Sequence, residues 1–124
     1  MLKHFVKLGL LVLLLGSAGT PGSAAEKDKV ERGTATVYAQ MLVGHRTANG
    51  ERLDSIHLTA AHRTLPLGTI VEVTNRKNGR KAQVRINDRG PHRRHAVIDL
   101  SPAAAKALGV HRVAPVELRV AKAS

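Results

Sequence analysis

The sequence of 124 residues has no cysteine and no tryptophan, and it has one tyrosine and one phenylalanine. Without cysteine, neither a disulfide framework nor the lipid-modified cysteine of a lipoprotein can form. The shortage of aromatic side chains argues against binding of single-stranded nucleic acid, because such proteins stack the bases on aromatic rings. Acidic residues are also scarce, since nine Asp and Glu stand against 20 Lys and Arg, for a formal net charge of +11 at pH 7.

A long apolar run is missing as well, but a short one lies near the start of the chain. Lys3 and Lys7 precede an apolar run at 8–15 and a stretch of small residues at 16–25. This is the layout of a secretory signal peptide, and the apolar run is too short to span a bilayer, which needs about 20 residues. We therefore expect residues 1–25 to be a signal peptide that is cleaved near Ala25. The mature protein is then exported, periplasmic or secreted, without a stable membrane anchor.

The positive charge remains after this cleavage. Removing Lys3 and Lys7 leaves 18 Lys and Arg against nine Asp and Glu, a formal charge of +9. Such a charge predicts an anionic partner. For an exported protein that partner is the carboxylates and phosphates of the bacterial envelope, and not nucleic acid. The alternative that the charge only keeps a small protein soluble stays open.

The rest of the chain predicts one small domain made mainly of short strands. Residues 26–32 are polar and are expected to form a flexible leader, which places the domain at 33–121. Strand patterns occur at 34–38, 69–74, 81–87, 97–100 and 116–120. Asn78-Gly79 predicts a tight hairpin turn between the second and third of these strands. The expected fold class is mainly β, a compact barrel and not a sandwich or a layered α/β fold.

One short helix is expected after the fourth strand pattern. Ser101 suits the N-cap, Pro102 the first helical position and Gly109 the position after the end. Pro115 is expected at the start of the last strand, where a missing amide proton is tolerated best.

Several segments carry a more specific signal. They are TANGE at 47–51, LTAAHRTLPLGT at 58–69, VRINDRGP at 84–91, IDLS at 98–101, AAA at 103–105 and LG at 108–109. Together, and in this order, they resemble the RlpA family over nearly all of residues 33–120. The resemblance implies a six-stranded double-psi β-barrel and, for members that are enzymes, a lytic transglycosylase acting on glycan strands without peptides.

The resemblance also implies the chemistry and the residues that perform it. In this reaction the 6-hydroxyl of N-acetylmuramic acid attacks its own anomeric carbon, so the bond to N-acetylglucosamine breaks without water and leaves a 1,6-anhydro end. Carboxyl groups suit the proton transfers and the stabilisation of the positive ring. Asp88, Glu51 and His62 match the functional positions of the family. The partner implied is the peptidoglycan glycan strand, and we expect a monomer without cofactor.

Asp88 is the principal acid and base in this hypothesis. Counting by twos from Ala82 through Val84 and Ile86 places Asp88 on the same strand face as three apolar residues. Burial there would favour its protonated form, as a general acid requires, whereas Arg85 or Arg89 nearby would favour the carboxylate. The alternative is that the strand register breaks before residue 89 and that Asp88 only caps a turn.

The other two catalytic candidates have competing structural interpretations. Glu51 follows the turn signal Asn49-Gly50 and either assists from a loop over a groove or is an ordinary solvated charge. His62 lies in a small, apolar stretch and either orients substrate or a carboxylate, or is a hydrogen-bonded structural histidine.

Seven further residues at family positions are expected to bind substrate or to support the site. They are Tyr38, Thr47, Asn49, Asp54, Asn87, Arg89 and Asp99. We expect Asp99, just before the helix cap, to be mainly structural. A metal site at His92 and His95 is not expected, because the intervening arginines would repel a cation and no acidic or thiol ligand is near.

The sequence departs from its relatives in two respects that affect function. It has Val37-Tyr38-Ala39 where relatives typically have Trp-Tyr-Gly, so Tyr38 is the one aromatic residue after the signal peptide and sugar stacking is reduced. Many relatives add a C-terminal SPOR domain, and without one septal targeting is not expected here. Two alternatives stay open, a non-catalytic wall-binding protein similar to expansins and an inhibitor-like module that docks on an acidic protein.

Overall fold

The computed structural model describes residues 29–124, and the predicted signal peptide at 1–25 lies outside them. The elements are β1 (Val30–Val37), β2 (Thr59–Ala61), β3 (Ile70–Asn75), β4 (Lys81–Asp88), β5 (Ala96–Leu100), α1 (Pro102–Leu108) and β6 (Val113–Lys122). A single 3-10 turn at Gln40–Leu42 follows β1. Within residues 29–124 no helix has the length and apolar character needed to cross a bilayer. The predicted mainly β class with one short helix is confirmed.

The six strands close into one barrel in the spatial order β1-β5-β2-β4-β3-β6. The pairs β1–β5 and β2–β4 are parallel, and the remaining neighbours are antiparallel. Strands distant in the sequence therefore lie side by side, and β1 is placed between β5 and β6. This mixed closed sheet agrees with the double-psi barrel that the resemblance implies.

The barrel is filled by aliphatic side chains that alternate along the strands. In β3, Val71 and Val73 are fully buried, and in β4, Val84 and Ile86 are. Leu108 of α1 joins the same cluster and covers part of it. Burial of such side chains stabilises a fold by about 1.5–3 kcal/mol each. Among residues 29–124 no aromatic side chain belongs to the core, which depends on close packing of Val, Ile, Leu and Ala.

The expected leader at 26–32 is wrong in its last three residues, because Val30–Arg32 form the start of β1 and pair with β6. Residues 26–28 lie outside the described part of the chain. The polar segment has no apolar alternation, yet its charges have partners. Arg32 Nε lies 3.1 Å from Glu117 Oε1, and Glu31 reaches His62. At the other end β6 continues to Lys122, one residue beyond the predicted boundary.

The turn between β3 and β4 is longer than predicted. The strands pair antiparallel, as expected, but four residues connect Asn75 to Arg80, whose backbones are joined by a hydrogen bond of 2.8 Å. Gly79 has a φ of 77°, whereas no residue other than glycine in the described chain has a positive φ, so Asn78 does not take the left-handed conformation of a two-residue turn. Its side chain instead donates to the carbonyl of Leu108, at 3.0 Å.

The predicted ends of the helix are confirmed. Ser101 Oγ accepts a hydrogen bond from the N–H of Ala104 at the N-cap, and Gly109 follows the helix with a φ of 70°. The last strand begins earlier than predicted, so Pro115 is its third residue and not its first. Its exposed position lies beyond the end of the β3 pairing at Val116, which explains why the missing amide proton is tolerated there.

Candidate active site

A β-bulge near the end of β4 decides where Asp88 lies. Along the parallel pair, Ala60 aligns with Ile86 but Ala61 aligns with Asp88, so Asn87 is an extra residue in β4. Each extra residue reverses the alternation of side chains. The count by twos that placed Asp88 on the core face is therefore wrong. Asp88 shares the face of Ala61, and Ile86 remains in the core.

A row of four residues crosses the outer face of the barrel at this level. Thr36 of β1 aligns with Asp99 of β5, Asp99 aligns with Ala61 of β2, and Ala61 aligns with Asp88 of β4. Residues in register on neighbouring strands point to the same side of a sheet. The two carboxyl groups are thus separated by one alanine, whose short side chain leaves space between them.

Asp88 is held by three hydrogen-bond donors. Its Oδ1 accepts from the backbone N–H groups of Ala48 and Arg89, both at 2.9 Å. Its Oδ2 accepts from the Tyr38 hydroxyl at 2.6 Å. Burial, followed by the hydrogen bond to Asp88, raises the pKa of Tyr38 far above its usual value of 10. Tyr38 therefore remains a neutral donor throughout the physiological pH range, and Asp88 is oriented as an acceptor.

The loop at 47–51 lies against the end of β4 and contributes to this site. The Asn49 N–H donates to the Asn87 carbonyl at 3.2 Å, next to the contact between Ala48 and Asp88. Thr47 stabilises the loop through two hydrogen bonds. Its N–H donates to the Glu51 carbonyl at 2.7 Å, and its hydroxyl donates to Asn49 Oδ1 at 2.7 Å. Thr47 and Asn49 thus build the loop, and the loop brings a backbone donor to Asp88.

Glu51 is paired with Arg85 and not left free over the groove. The Arg85 guanidinium donates to both oxygens, at 2.5 and 2.9 Å, and Asn49 Nδ2 donates as well. These contacts, first Arg85 and then Asn49, lower the pKa of Glu51 from 4.5 to about 2. Glu51 is therefore ionised near neutral pH, and with both oxygens bound to Arg85 it fixes the loop and cannot donate a proton.

Glu51→Gln is expected to reduce stability modestly at pH 7, by about 0.5–1 kcal/mol, because the pair is partly exposed and screened. Since the pKa of Glu51 is lowered on folding, its contribution is present above about pH 4.5 and is lost as the pH falls toward 2. Urea unfolding at pH 7 and pH 3 measures this. The difference in the free energy of unfolding between Glu51→Gln and wild type should be smaller at pH 3, and Glu72→Gln serves as the control. A difference that does not depend on pH would contradict the ion pair between Glu51 and Arg85.

His62 is buried and fully hydrogen-bonded. Its Nδ1 accepts from the N–H groups of Thr64 and Leu65, both at 3.1 Å, so the ring proton belongs on Nε2. Nε2 lies 2.8 Å from Glu31 Oε1 and donates to it. The side chain thus joins β1 to the 64–65 loop, while the His62 backbone N–H donates to the Asp88 carbonyl at 3.1 Å. In this arrangement His62 acts on the site by holding the end of β4.

Two other predicted residues, Asp54 and Arg89, do not contact the Asp88 carboxylate through their side chains. Asp54 accepts from Ile56 and His57 in its own exposed loop. Arg89 donates to the carbonyls of His62 and Leu65, at 3.1 and 2.7 Å, so neither it nor Arg85 pairs with Asp88 in the described structure.

Asn87 is the extra residue of the bulge, and it is buried. Its backbone carbonyl receives the Asn49 N–H, which ties the loop at 47–51 to β4. Asn87 therefore supports the site through its position in the backbone.

Asp99 is half-buried between β1 and β2. Its Oδ1 accepts a hydrogen bond of 3.0 Å from Thr36 Oγ1. Burial raises the pKa of Asp99 above 3.8 and the nearby charge of Asp88 adds to this, while Thr36, Arg93 and His92 act in the opposite direction. The sequence predicts a mainly structural role for Asp99. In the structure Asp99 is also aligned with Asp88 through Ala61.

The surface away from this row is strongly basic. Two adjoining shallow concavities flank the β3–β4 turn: one of about 610 Å³ lies beside α1, and one of about 560 Å³ lies beside the segment at 109–114. The charged or titratable residues lining them are Lys77, Arg80, Lys106, His111 and Arg112. No acidic side chain lines either one, so this face attracts anions. Among residues 29–124, no group of three or more His, Asp or Glu side chains could hold a metal ion.

Comparison with known proteins identifies the family of this chain. The family model described as lytic transglycolase matches residues 30–119. The probable endolytic peptidoglycan transglycosylase RlpA of Synechocystis is 50% identical over 99 residues, which are 80% of this chain and 31% of that protein. The endolytic peptidoglycan transglycosylase RlpA of Vibrio cholerae is 45% identical over 94 residues, 76% of this chain and 36% of that protein. The chain spans about a third of the length of these relatives.

A solved structure supports the fold independently. The expansin of Clavibacter michiganensis superposes with a TM-score of 0.61 at 20% identity, over 76% of this chain and 51% of that one. At this identity the similarity concerns the barrel alone. The matched family model, together with the RlpA relatives, shows that the chain belongs to the lytic transglycolase family and that its barrel is of the RlpA type.

Proposed function

We propose that this protein is an endolytic peptidoglycan transglycosylase that cleaves peptide-poor glycan strands and leaves 1,6-anhydromuramic ends. The observation that carries the proposal is the Asp88 carboxylate, oriented on the outer face of the barrel by Ala48, Arg89 and Tyr38. The names of relatives about 50% identical support the same reaction.

The proposed mechanism needs a base at the muramic 6-hydroxyl and negative charge near the developing positive ring. An oriented carboxylate suits both tasks, because its donors fix the direction of its free lone pairs. Asp88 takes the hydroxyl proton as the 6-oxygen attacks the anomeric carbon, and the departing oxygen of N-acetylglucosamine takes up a proton from an acid of the site. Glu51, paired with Arg85, assists by fixing the loop that brings the Ala48 N–H to Asp88. His62 is a positioning residue that acts through the end of β4.

We further propose that the protein is exported through a signal peptide at 1–25 and acts as a periplasmic or secreted monomer without a stable membrane anchor. The envelope contains the anionic carboxylates and phosphates that a basic surface attracts. A closed barrel leaves no free strand edge for pairing between copies, which supports the monomer.

The test is incubation of the protein lacking residues 1–25 with glycan strands freed of their peptides. Mass spectrometry should detect internal cleavage products that end in 1,6-anhydromuramic acid, without uptake of labelled oxygen from water. Binding of the strands without such ends, at high protein load, would instead establish the expansin-like alternative. Ends carrying the label would indicate hydrolysis and contradict the proposal equally.

A further inference from the structure

The row Thr36–Asp99–Ala61–Asp88 places a second carboxyl group beside the proposed base. Asp99 and Asp88 both align with Ala61, one from each side. Two interstrand spacings place their backbones roughly 10 Å apart. Both side chains lie on the outer face of the barrel at either side of the short Ala61 side chain, so one sugar substrate can contact both carboxyl groups.

The two carboxyl groups have different surroundings. Asp88 accepts three hydrogen bonds, two of them from backbone N–H groups. Asp99 accepts one in the described structure, from Thr36, and it is more than half buried. Burial is the main cause of its raised pKa. Two carboxyl groups of one site in different surroundings can take the separate roles of acid and base.

We propose that Asp99 is the general acid of this site and that Asp88 is the base. The inference rests on the transglycosylase function proposed above. The Asp99 proton passes to the oxygen of N-acetylglucosamine as its bond to the muramic anomeric carbon breaks. The muramic 6-oxygen forms the new bond to that carbon, and its proton passes to Asp88. One proton leaves Asp99 and one reaches Asp88, and exchange with solvent restores both groups.

A substrate whose leaving group needs no proton distinguishes a general-acid role of Asp99 from a structural role. The probe is a 4-nitrophenyl glycoside of an oligosaccharide that ends in N-acetylmuramic acid, since nitrophenolate departs without protonation. Asp99→Asn should lower cleavage of natural glycan by roughly 10²–10⁴-fold, but cleavage of the nitrophenyl substrate by less than about 10-fold. Asp88→Asn should lower both, because both substrates need the 6-hydroxyl proton removed.

The pH dependence supplies a second test that does not require removing Asp99. The groups near Asp99 are Thr36, Asp88, Tyr38, His92 and Arg93. Natural glycan cleavage should fall as the pH rises through the pKa of Asp99. Thr36→Val removes a hydrogen bond that favours the Asp99 carboxylate, so the fall in the rate of natural glycan cleavage should occur at higher pH in this variant. Cleavage of the nitrophenyl substrate should show no such fall in either protein.

The possible results distinguish the two proposals. If wild type forms no 1,6-anhydro ends from either substrate, both the function and this inference are wrong. If wild type is active but Asp99→Asn cleaves natural glycan at the wild-type rate, or loses both substrates equally while its thermal unfolding is unchanged, only the acid role of Asp99 is overturned. The acid role is also overturned if the pH profile of Thr36→Val is the same as that of wild type.

Discussion

Asp88→Asn is expected to lower the release of 1,6-anhydromuramic ends by roughly 10²–10⁴-fold, the usual contribution of acid and base groups. The amide keeps the size of the side chain, and its oxygen still accepts from the N–H groups of Ala48 and Arg89. It cannot take a proton from the sugar hydroxyl. The rate is measured by mass spectrometry of products from peptide-free glycan, together with circular dichroism to show that the barrel is intact.

The matched control is Glu72→Gln on β3, a partly exposed carboxylate with only a long contact of 3.9 Å to Lys81. It loses the same charge outside the row and should keep the wild-type rate. If both variants lose activity equally, the effect is one of net charge. If Asp88→Asn keeps its activity, Asp88 is not the base.

Ser101→Ala is expected to have the largest effect on stability, a decrease of about 3 kcal/mol in the free energy of unfolding. Ser101 is fully buried. Its hydroxyl accepts hydrogen bonds from the N–H groups of Thr59 and Ala104, both at 3.2 Å. It also donates a hydrogen bond to the His57 carbonyl, at 2.9 Å. Loss of an N-cap costs about 0.5–2 kcal/mol, and the buried groups left without partners add about 1–3 kcal/mol. Urea unfolding of both proteins measures the difference.

Ser55→Ala makes the same chemical change in an exposed loop and should alter stability by less than about 0.5 kcal/mol. The comparison isolates the contacts of the Ser101 hydroxyl. An equal, small effect of both substitutions would show that Ser101 does not join β2 to the helix in the way described.

The sequence predicted most of the fold because most elements have local signals. Val71 and Val73 alternate with polar neighbours, and the helix has its cap residues at both ends. Strand β2 has no such signal, since Thr59, Ala60 and Ala61 are all buried and three residues are too few to show a period. Its presence followed only from the family resemblance. The start of β1 was missed because its charged residues show no apolar alternation and because their partners, Glu117 and His62, are distant in sequence.

The site was predicted less completely, because its geometry depends on contacts between distant segments. The face of Asp88 was wrong because one extra residue, Asn87, reverses the alternation, and no residue type marks such a bulge. Arg85 was expected near Asp88 but pairs with Glu51, 34 residues away in sequence. The alignment of Asp99 with Asp88 through Ala61 follows from strand order, which a single sequence does not reveal.

The position of β1 between β5 and β6 has a consequence for how the barrel is made. Both neighbours of the first strand come from residues 96 and beyond, so the N-terminal strand has no pairing partner until nearly the whole chain is available. Folding through such distant pairings is slow, because the chain must close long loops first. The barrel therefore cannot close while the chain is only partly synthesised or partly threaded through a narrow channel. The closed barrel is therefore available only to a chain whose last strand has been released.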